Sequence, residues 1–494
     1  MHIALIDPFF VSINSPPNWV LGQLEAALIE QGHTVRIVDF QCGGESFSSL
    51  AAFRAREDLF ISEAAEVAAK SDVTYFTLSF GIPQKPTPIL ARVIKVLKRI
   101  GSNQSKGTIF IGGAQVDYIT THGGDPFEII GPSANLVSAF LPSDAQLVSC
   151  VASVHAKRPI DRFSGIWLRH QGKASRIGAT PAWPNEVLRR PEWKGWKLEK
   201  YPNYRAVLTS LGCRYGCSFC FESKQSFQPL DLQMLMRSYV EAGIKQLAIE
   251  DSTLFGAHAL EDVIRHFDSL DSPVRFTCYA LVPEVCKASN SDLAQMRRLG
   301  LESVILGIET PDDQTLRTYR KSVTPARAKI AIDKLHDAGI SAQGCLMVGI
   351  PGVDINRTFQ TFDYARGLGL DVSRWHIFQP DFAAMPQDIQ TPNPTSLQDF
   401  ARIDVNLPDH LLPEVMKDAP TELLLEEHFL MRSIPHVKEI PDHLSQIRYA
   451  AGYSLSELYQ RVLSELKGTQ RSFNEEDYYS ILDTQASGPG NVRV

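Results

Sequence analysis

The chain has 494 residues, of which 44% are hydrophobic and 21% are charged. At roughly 150 residues per domain this length predicts about three domains, and it excludes a single small binding module. The formal net charge of −7 argues against broad binding to nucleic acid or to anionic membranes, because both recruit cationic surfaces.

No run of about eighteen uncharged apolar residues is present, so the sequence predicts no transmembrane span. Asp7 interrupts the apolar N-terminal stretch where an export signal would continue, and we interpret this stretch as a first strand. Three of the eight cysteines fall within a stretch of eight residues. This clustering, without an export signal, predicts a metal site in a cytoplasmic protein, since disulfides are rare in that compartment.

Residues 1–142 alternate short apolar runs with helical patterns. Such runs predict a doubly wound parallel sheet, because its strands are buried on both faces and separated by helices. The predicted strands are 3–6, 35–38, 73–78, 109–111 and 127–130. Ligands bind such sheets beyond the carboxyl ends of the strands, and small residues follow two of those ends. They are Ser79, Gly81, Gly112 and Gly113.

Residues 143–204 are rich in Pro, Trp and Arg and are predicted to form an irregular connector that packs along one domain. Strand and helix patterns then alternate again over 205–388. The six predicted strands are 206–209, 246–249, 275–279, 303–306, 341–348 and 372–378. Six consecutive βα units predict a partial (β/α)6 barrel of the TIM type, with its active site in the loops that follow the strands. Residues 389–494 are predicted to form a C-terminal helical region.

The strongest motif is Cys213-x₃-Cys217-x₂-Cys220, directly after the first predicted barrel strand. Thiolates are soft ligands that favour iron–sulfur clusters or zinc. Three cysteines without a fourth partner leave one metal position open, as a catalytic site requires, whereas a structural zinc site has four protein ligands. A zinc loop completed by a distant histidine is the alternative interpretation.

With Phe219 before the last cysteine, this motif resembles that of the radical S-adenosylmethionine (SAM) superfamily. The resemblance implies that the three thiolates hold a 4Fe–4S cluster and that SAM chelates its fourth iron. Reductive cleavage of SAM would then yield a deoxyadenosyl radical. In such enzymes the cofactor carries the chemistry, and the protein positions it.

Two further stretches resemble motifs of that superfamily. Glu250 and Asp251 end the second barrel strand, where the family places an acid that receives the SAM amine through a charge-assisted hydrogen bond. Glu309 ends the fourth strand in a Gly-Ile-Glu-Thr stretch, and Lys321 follows. The SAM site implied by the resemblance consists of Phe219, Glu250, Asp251 and Glu309. The alternatives are a helix cap for the acid pair, and a buried acid paired with an arginine for Glu309.

The N-terminal domain resembles the cobalamin-binding domain of cobalamin-dependent radical SAM enzymes, on segments 78–79 and 111–113. The cobalamin site that this implies includes Ser79, Gly81, Gly112 and Gly113. The chain departs from the family at 131–134, which reads Gly-Pro-Ser-Ala instead of Gly-Glu-Gly-Glu. Asp7 does not begin the Asp-x-His-x-x-Gly motif that supplies a lower cobalt ligand in other cobalamin proteins. A domain that only shapes substrate access is the alternative.

The resemblance therefore predicts a cobalamin-dependent radical SAM methyltransferase that acts on an unactivated carbon, with a 4Fe–4S cluster, SAM and cobalamin as cofactors. Expected partners are a small-molecule or natural-product substrate and an electron donor such as flavodoxin or ferredoxin, but no membrane and no nucleic acid. One alternative is a radical rearrangement, cyclisation or oxidation without methyl transfer. Another is a non-catalytic iron–sulfur or zinc protein that acts as a redox-sensitive binding module.

Overall fold

A computed structural model describes most of the chain up to residue 377. The described residues are 1–8, 17–40, 50–78, 87–101, 107–113, 116, 117, 120, 125–170, 173–178, 196, 204–220, 222, 227–348, 350, 353 and 355–377. Ser79, Gly81 and the predicted helical region 389–494 lie outside them. Among the described helices, none is long and apolar enough to cross a membrane.

Seven strands form the first sheet. They are β1 His2–Asp7, β2 Thr34–Asp39, β3 Val73–Thr77, β4 Thr108–Gly112, β5 Ala139–Leu141, β6 Ile166–His170 and β7 Lys173–Ile177. Their order in the sheet is β2-β1-β3-β4-β5-β6-β7. Strands β1 to β5 pair in parallel, which confirms the predicted doubly wound sheet, while β6 and β7 add an antiparallel hairpin at one edge.

Five helices of the described residues connect these strands. They are α1 Trp19–Glu30, α2 Leu50–Lys70, α3 Thr87–Gly101, α4 Pro126–Ile130 and α5 Gln146–His155. The side chain of Asn18 accepts a hydrogen bond from the Leu21 amide at 3.2 Å and so caps the start of α1. Gly32, with φ of +81°, follows its end, as the left-handed conformation after a helix favours glycine.

The predicted strand at 127–130 is wrong, because these residues form α4 and a 3₁₀ turn follows over Gly131–Leu136. Asp125 accepts a hydrogen bond from the Phe127 amide at 2.8 Å, and proline occupies the first helical position. Both are helix-start signals that outweigh a four-residue apolar run, whose periodicity is ambiguous. Phe127 packs edge-on against Phe140 of β5, which is the actual fifth strand.

The prediction of an irregular connector is also wrong over 146–177. Helix α5 and the hairpin β6–β7 occupy this stretch, and Trp167 pairs with Phe140 at the sheet edge. A strand that contributes one or two alternating residues to a core carries too little hydrophobic pattern to be recognised among proline and arginine residues.

Six parallel strands belong to a second sheet. They are β8 Arg205–Val207, β11 Gln246–Ile249, β12 Arg275–Ala280, β13 Leu301–Glu309, β14 Ser341–Val348 and β15 Val372–Ile377. Within it β11 pairs with β8 and β12, and β14 pairs with β13 and β15. A short antiparallel pair, β9 Ser210–Leu211 and β10 Gln228–Pro229, follows β8. The six strands confirm the predicted succession of βα units.

Eight helices in the described chain follow or separate these strands. They are α6 Leu232–Glu241, α7 Leu254–Ala257, α8 Leu260–Asp268, α9 Val282–Lys287, α10 Asn290–Arg298, α11 Asp313–Thr318, α12 Pro325–Asp337 and α13 Ile355–Leu368. The chain divides into two compact units. The described part of the first unit ends at Cys278, and the described part of the second unit begins at Tyr279. The domain boundaries at 142, 204 and 388 stay a prediction.

Candidate active site

The three clustered cysteines lie on a loop that begins directly after β8 and β9. Gly212 takes a φ of +66°, a conformation open to glycine at little cost, and turns the chain into the loop. The Cys213 amide donates to the carbonyl of Glu222 at 3.1 Å, and the Cys220 amide donates to the carbonyl of Cys217 at 3.2 Å. Cys217 is buried, and the other two cysteines are half-buried.

The thiols of this loop are not gathered into a finished metal site. Within the described residues, no three His, Cys, Asp or Glu side chains are arranged to hold a metal ion. The donor set nevertheless fits an iron–sulfur cluster, because three soft thiols share one closed loop and Gly216 has no heavy atom within 4 Å of the Cβ position. Cluster binding is coupled to local folding. The roles of Cys213, Cys217 and Cys220 as ligands stay a prediction.

The adjacent acids at the end of β11 have different surroundings. Glu250 is exposed, whereas Asp251 is 1% exposed and accepts hydrogen bonds from Thr209 and Ser210. The Thr209 amide lies 2.5 Å from Oδ1, and the hydroxyls of Thr209 and Ser210 lie 2.5 and 2.8 Å from Oδ2. The helix-cap alternative therefore does not describe Asp251, whose hydrogen bonds run across to Thr209, between β8 and β9, and to Ser210 of β9.

Two titratable groups lie close to Asp251. Burial raises its pKa, while the hydrogen bonds from Thr209 and Ser210 and the charge of His258 offset part of this effect. Burial, and then the neighbouring charge of Asp251, raise the pKa of Glu222. Sequence reasoning missed Thr209, His258 and Glu222, although two hydroxyl residues between a strand and a cysteine motif were a signal that could have been used.

Glu309 forms a buried ion pair at the end of β13. Its Oε1 accepts a hydrogen bond from Lys321 Nζ at 2.6 Å, and both side chains are at most 10% exposed. The partner is thus a lysine and not the arginine of the alternative interpretation. Gly307 lines the pair, because a Cβ there would lie 2.6 Å from Lys321 Nζ.

The backbone of Glu309 is strained. Its φ is +70°, and the register of β13 against β14 shifts between Gly307 and Glu309. A non-glycine residue in this conformation costs about 1–3 kcal/mol, and such strain clusters at functional sites. The strain supports a functional role for Glu309. Phe219 is half-buried in the cysteine loop, and its contact with SAM stays a prediction.

At the carboxyl edge of the first sheet, small residues fit around a buried polar pair. The Tyr75 hydroxyl donates to Asp144 Oδ1 at 2.6 Å. A Cβ on Gly112 would lie 2.5 Å from that hydroxyl and 2.6 Å from the Leu141 carbonyl oxygen. Gly113 has a φ of +114°. Packing of the strands thus explains Gly112, and the backbone conformation explains Gly113, without a ligand. The contact of both glycines with cobalamin stays a prediction.

Comparison with known sequences gives a family match over most of the second sheet. Residues 207–365 match the model of the radical SAM superfamily. An uncharacterized methyltransferase of Pyrococcus horikoshii is 23% identical over 376 residues, which cover 72% of this chain and 74% of that protein. An anaerobic magnesium-protoporphyrin IX monomethyl ester cyclase of Rubrivivax gelatinosus is 26% identical over 223 residues, which cover 42% of this chain and 40% of that protein.

Two solved structures share the fold. The radical SAM methyltransferase TsrM of Kitasatospora setae, solved with cobalamin and a 4Fe–4S cluster bound, has a TM-score of 0.61 and 16% identity; the match covers 76% of this chain and 74% of that chain. OxsB, a cobalamin-dependent SAM radical enzyme solved with aqua-cobalamin and SAM bound, has a TM-score of 0.57 and 17% identity. That match covers 74% of this chain and 51% of OxsB.

Proposed function

Because residues 207–365 form a radical SAM domain, we propose that this protein is a cobalamin-dependent radical SAM enzyme that methylates an unactivated carbon of a small molecule. The observation that carries the proposal is the extent of the likeness to TsrM. It covers 76% of this chain, far more than the 159 residues of the radical SAM match. The sequence likeness to the methyltransferase of Pyrococcus horikoshii also covers 72% of the chain.

The cofactors would be held by residues of three loops. Cys213, Cys217 and Cys220 would ligate a 4Fe–4S cluster, which when bound and reduced cleaves SAM to a deoxyadenosyl radical. The exposed carboxylate of Glu250 suits the SAM ammonium group, since such a pair forms a charge-assisted hydrogen bond. Glu309, fixed by Lys321 at 2.6 Å, offers a second carboxylate. In the proposed setting the protein is cytoplasmic and receives electrons from flavodoxin or ferredoxin.

A second candidate is a radical SAM rearrangement, cyclisation or oxidation without methyl transfer. It is favoured by the likeness to the cyclase of Rubrivivax gelatinosus and by the absence of the Asp-x-His-x-x-Gly motif after β1. In that case the first sheet would only shape access to the site.

Product analysis separates the candidates without a known substrate. Protein purified anaerobically with cobalamin is incubated with SAM and dithionite, and deoxyadenosine and S-adenosylhomocysteine are quantified. The proposal predicts both products, because it uses SAM as a radical source and as a methyl donor. Deoxyadenosine alone, from protein that contains cobalamin, supports the second candidate. Absence of both contradicts radical SAM chemistry.

A further inference from the structure

Both carboxylate oxygens of Asp251 accept hydrogen bonds from the segment that leads into the cysteine loop. Oδ1 accepts the Thr209 amide, and Oδ2 accepts the hydroxyls of Thr209 and Ser210, all within 2.8 Å. Thr209 is fully buried and Ser210 is 4% exposed. Leu211, Gly212 and Cys213 follow directly, so the carboxylate fixes the entrance of the loop.

His258 completes the arrangement from a third segment. Its Nε2 lies 3.0 Å from the Thr209 carbonyl oxygen and 3.0 Å from the Thr209 hydroxyl. A carbonyl only accepts, and the one hydroxyl hydrogen of Thr209 is donated to Asp251. Nε2 of His258 must therefore carry a hydrogen and donate it. The hydrogen bonds run in one direction, from His258 through Thr209 to Asp251.

We propose that Asp251 is a positioning residue for the cysteine loop and does not contact SAM. This inference rests on the proposed function, in which the exposed neighbour Glu250 is the acid that receives SAM. Adjacent acids thus divide two tasks at the end of β11. Asp251 holds the strand end that precedes Cys213, and Glu250 faces the cofactor.

The test compares iron release with SAM binding in the full-length, anaerobically reconstituted protein. Thr209→Val removes the hydroxyl but keeps the amide, and Thr209→Ser keeps both donors. Asp251→Asn leaves one acceptor oxygen for three donors. Glu250→Gln is the contrasting variant, and Asp262→Asn, on an exposed face of α8, is the matched control. The rate of iron loss to a chelator and the Kd for SAM of the loaded protein are measured for each.

Thr209→Val and Asp251→Asn are expected to release iron about tenfold faster, because a lost hydrogen bond to a buried charge is worth about that factor. Their Kd for SAM should stay within about twofold of the wild type, a change too small for a lost ligand. Thr209→Ser should behave as the wild type. Glu250→Gln should weaken SAM binding and leave iron release unchanged. A higher Kd for SAM together with normal iron release in Asp251→Asn would overturn the proposal. An Asp251→Asn variant with unchanged iron release and unchanged Kd would overturn it as well.

The tautomer of His258 gives a readout that does not need the cluster. Nitrogen-15 NMR should find a hydrogen on Nε2 of the His258 ring in the wild type, and a ring that carries a hydrogen only on Nδ1 would contradict the arrangement. Wild-type protein that binds no iron would instead contradict the proposed function, so the two failures are distinguishable. If circular dichroism shows that Asp251→Asn does not fold, the comparison of iron release between Thr209→Val and Thr209→Ser tests the proposal instead.

Discussion

Glu309 and Lys321 show how a single pair of side chains stabilises a strained site. Both groups are removed from water, so each charge needs the other to offset its desolvation. Gly307 leaves the space that Lys321 Nζ occupies. The pair therefore holds the carboxylate of Glu309 in one place, although the backbone conformation of Glu309 is unfavourable.

Lys321→Met is expected to destabilise the protein by about 3 kcal/mol, because it leaves the Glu309 carboxylate buried without a cation. The matched control is Lys329→Met, which breaks the exposed pair with Asp333 on α12 and should cost less than about 1 kcal/mol. Urea unfolding of both variants measures the difference. Equal costs for the two lysines would show that the buried pair is not a stabilising contact.

The sequence was enough to predict which types of residue belong to the site, but less so the role that each of them has. The cysteine spacing and the acid after each strand are local patterns, and the sequence was enough to find Glu250, Asp251 and Glu309. Which acid is buried depends on what lies across the sheet. Thr209 contacts Asp251, which lies 42 residues away along the chain, and His258, which lies 49 residues away, and no local pattern carries that information.

At the scale of elements, helices α2 and α3 are joined by a charged group of three. Glu57 on α2 bonds Arg92 at 3.0 Å and Lys95 at 2.6 Å, both on α3. Arg92 is 1% exposed and also lies over the ring of Phe40. Burial acts to raise the pKa of Glu57, but the two cations outweigh it and hold that pKa below its ordinary value.

A lowered pKa means that Glu57 stabilises the folded state above its ordinary pKa and that this contribution is lost as the pH falls through the folded value. Glu57→Gln should therefore cost about 3 kcal/mol at pH 7 and clearly less in acid, where the wild type is protonated as well. Urea midpoints at neutral and acid pH provide the measurement. Glu66→Gln, on an exposed part of α2, is the control. A cost that does not depend on pH would contradict the assignment.

The end of β4 is packed too closely for any side chain. Gly112→Ala places a methyl group against Tyr75 and the Leu141 backbone, and overpacking of this kind costs about 1–3 kcal/mol. Gly216→Ala, at an uncrowded position of the cysteine loop, should leave the melting temperature unchanged. Thermal unfolding of both variants checks this, and an unchanged melting temperature for Gly112→Ala would mean that this sheet edge is looser than described.

Elements were predictable where the pattern was long or strongly punctuated. The ranges of β11 and β14 agree with the sequence prediction, because an acidic pair follows the first apolar run and a Gly/Pro segment follows the second. The error at 127–130 arose because a short apolar run fits a strand and a helix turn equally well. The hairpin β6–β7 was missed because its extended conformation depends on pairing with β5 and not on its own composition.

The whole molecule contains two sheets whose parallel strands end in chemically distinct loops. The first sheet presents glycines and a buried polar pair, and the second presents three thiols and three acids. Sequence likeness to an uncharacterized methyltransferase and fold likeness to TsrM each extend over about three quarters of the chain. The claim on which the proposed function depends is that the thiols of one loop hold an iron–sulfur cluster.

Metal analysis of anaerobically reconstituted protein tests that claim most directly. Cys150→Ala is the control, because burial raises the pKa of that thiol to about 12 and keeps it protonated. We expect about four irons per chain in the wild type and in Cys150→Ala, as a 4Fe–4S cluster requires, and their joint loss in Cys217→Ala. One zinc per chain without iron, or iron that persists in Cys217→Ala, would contradict the account.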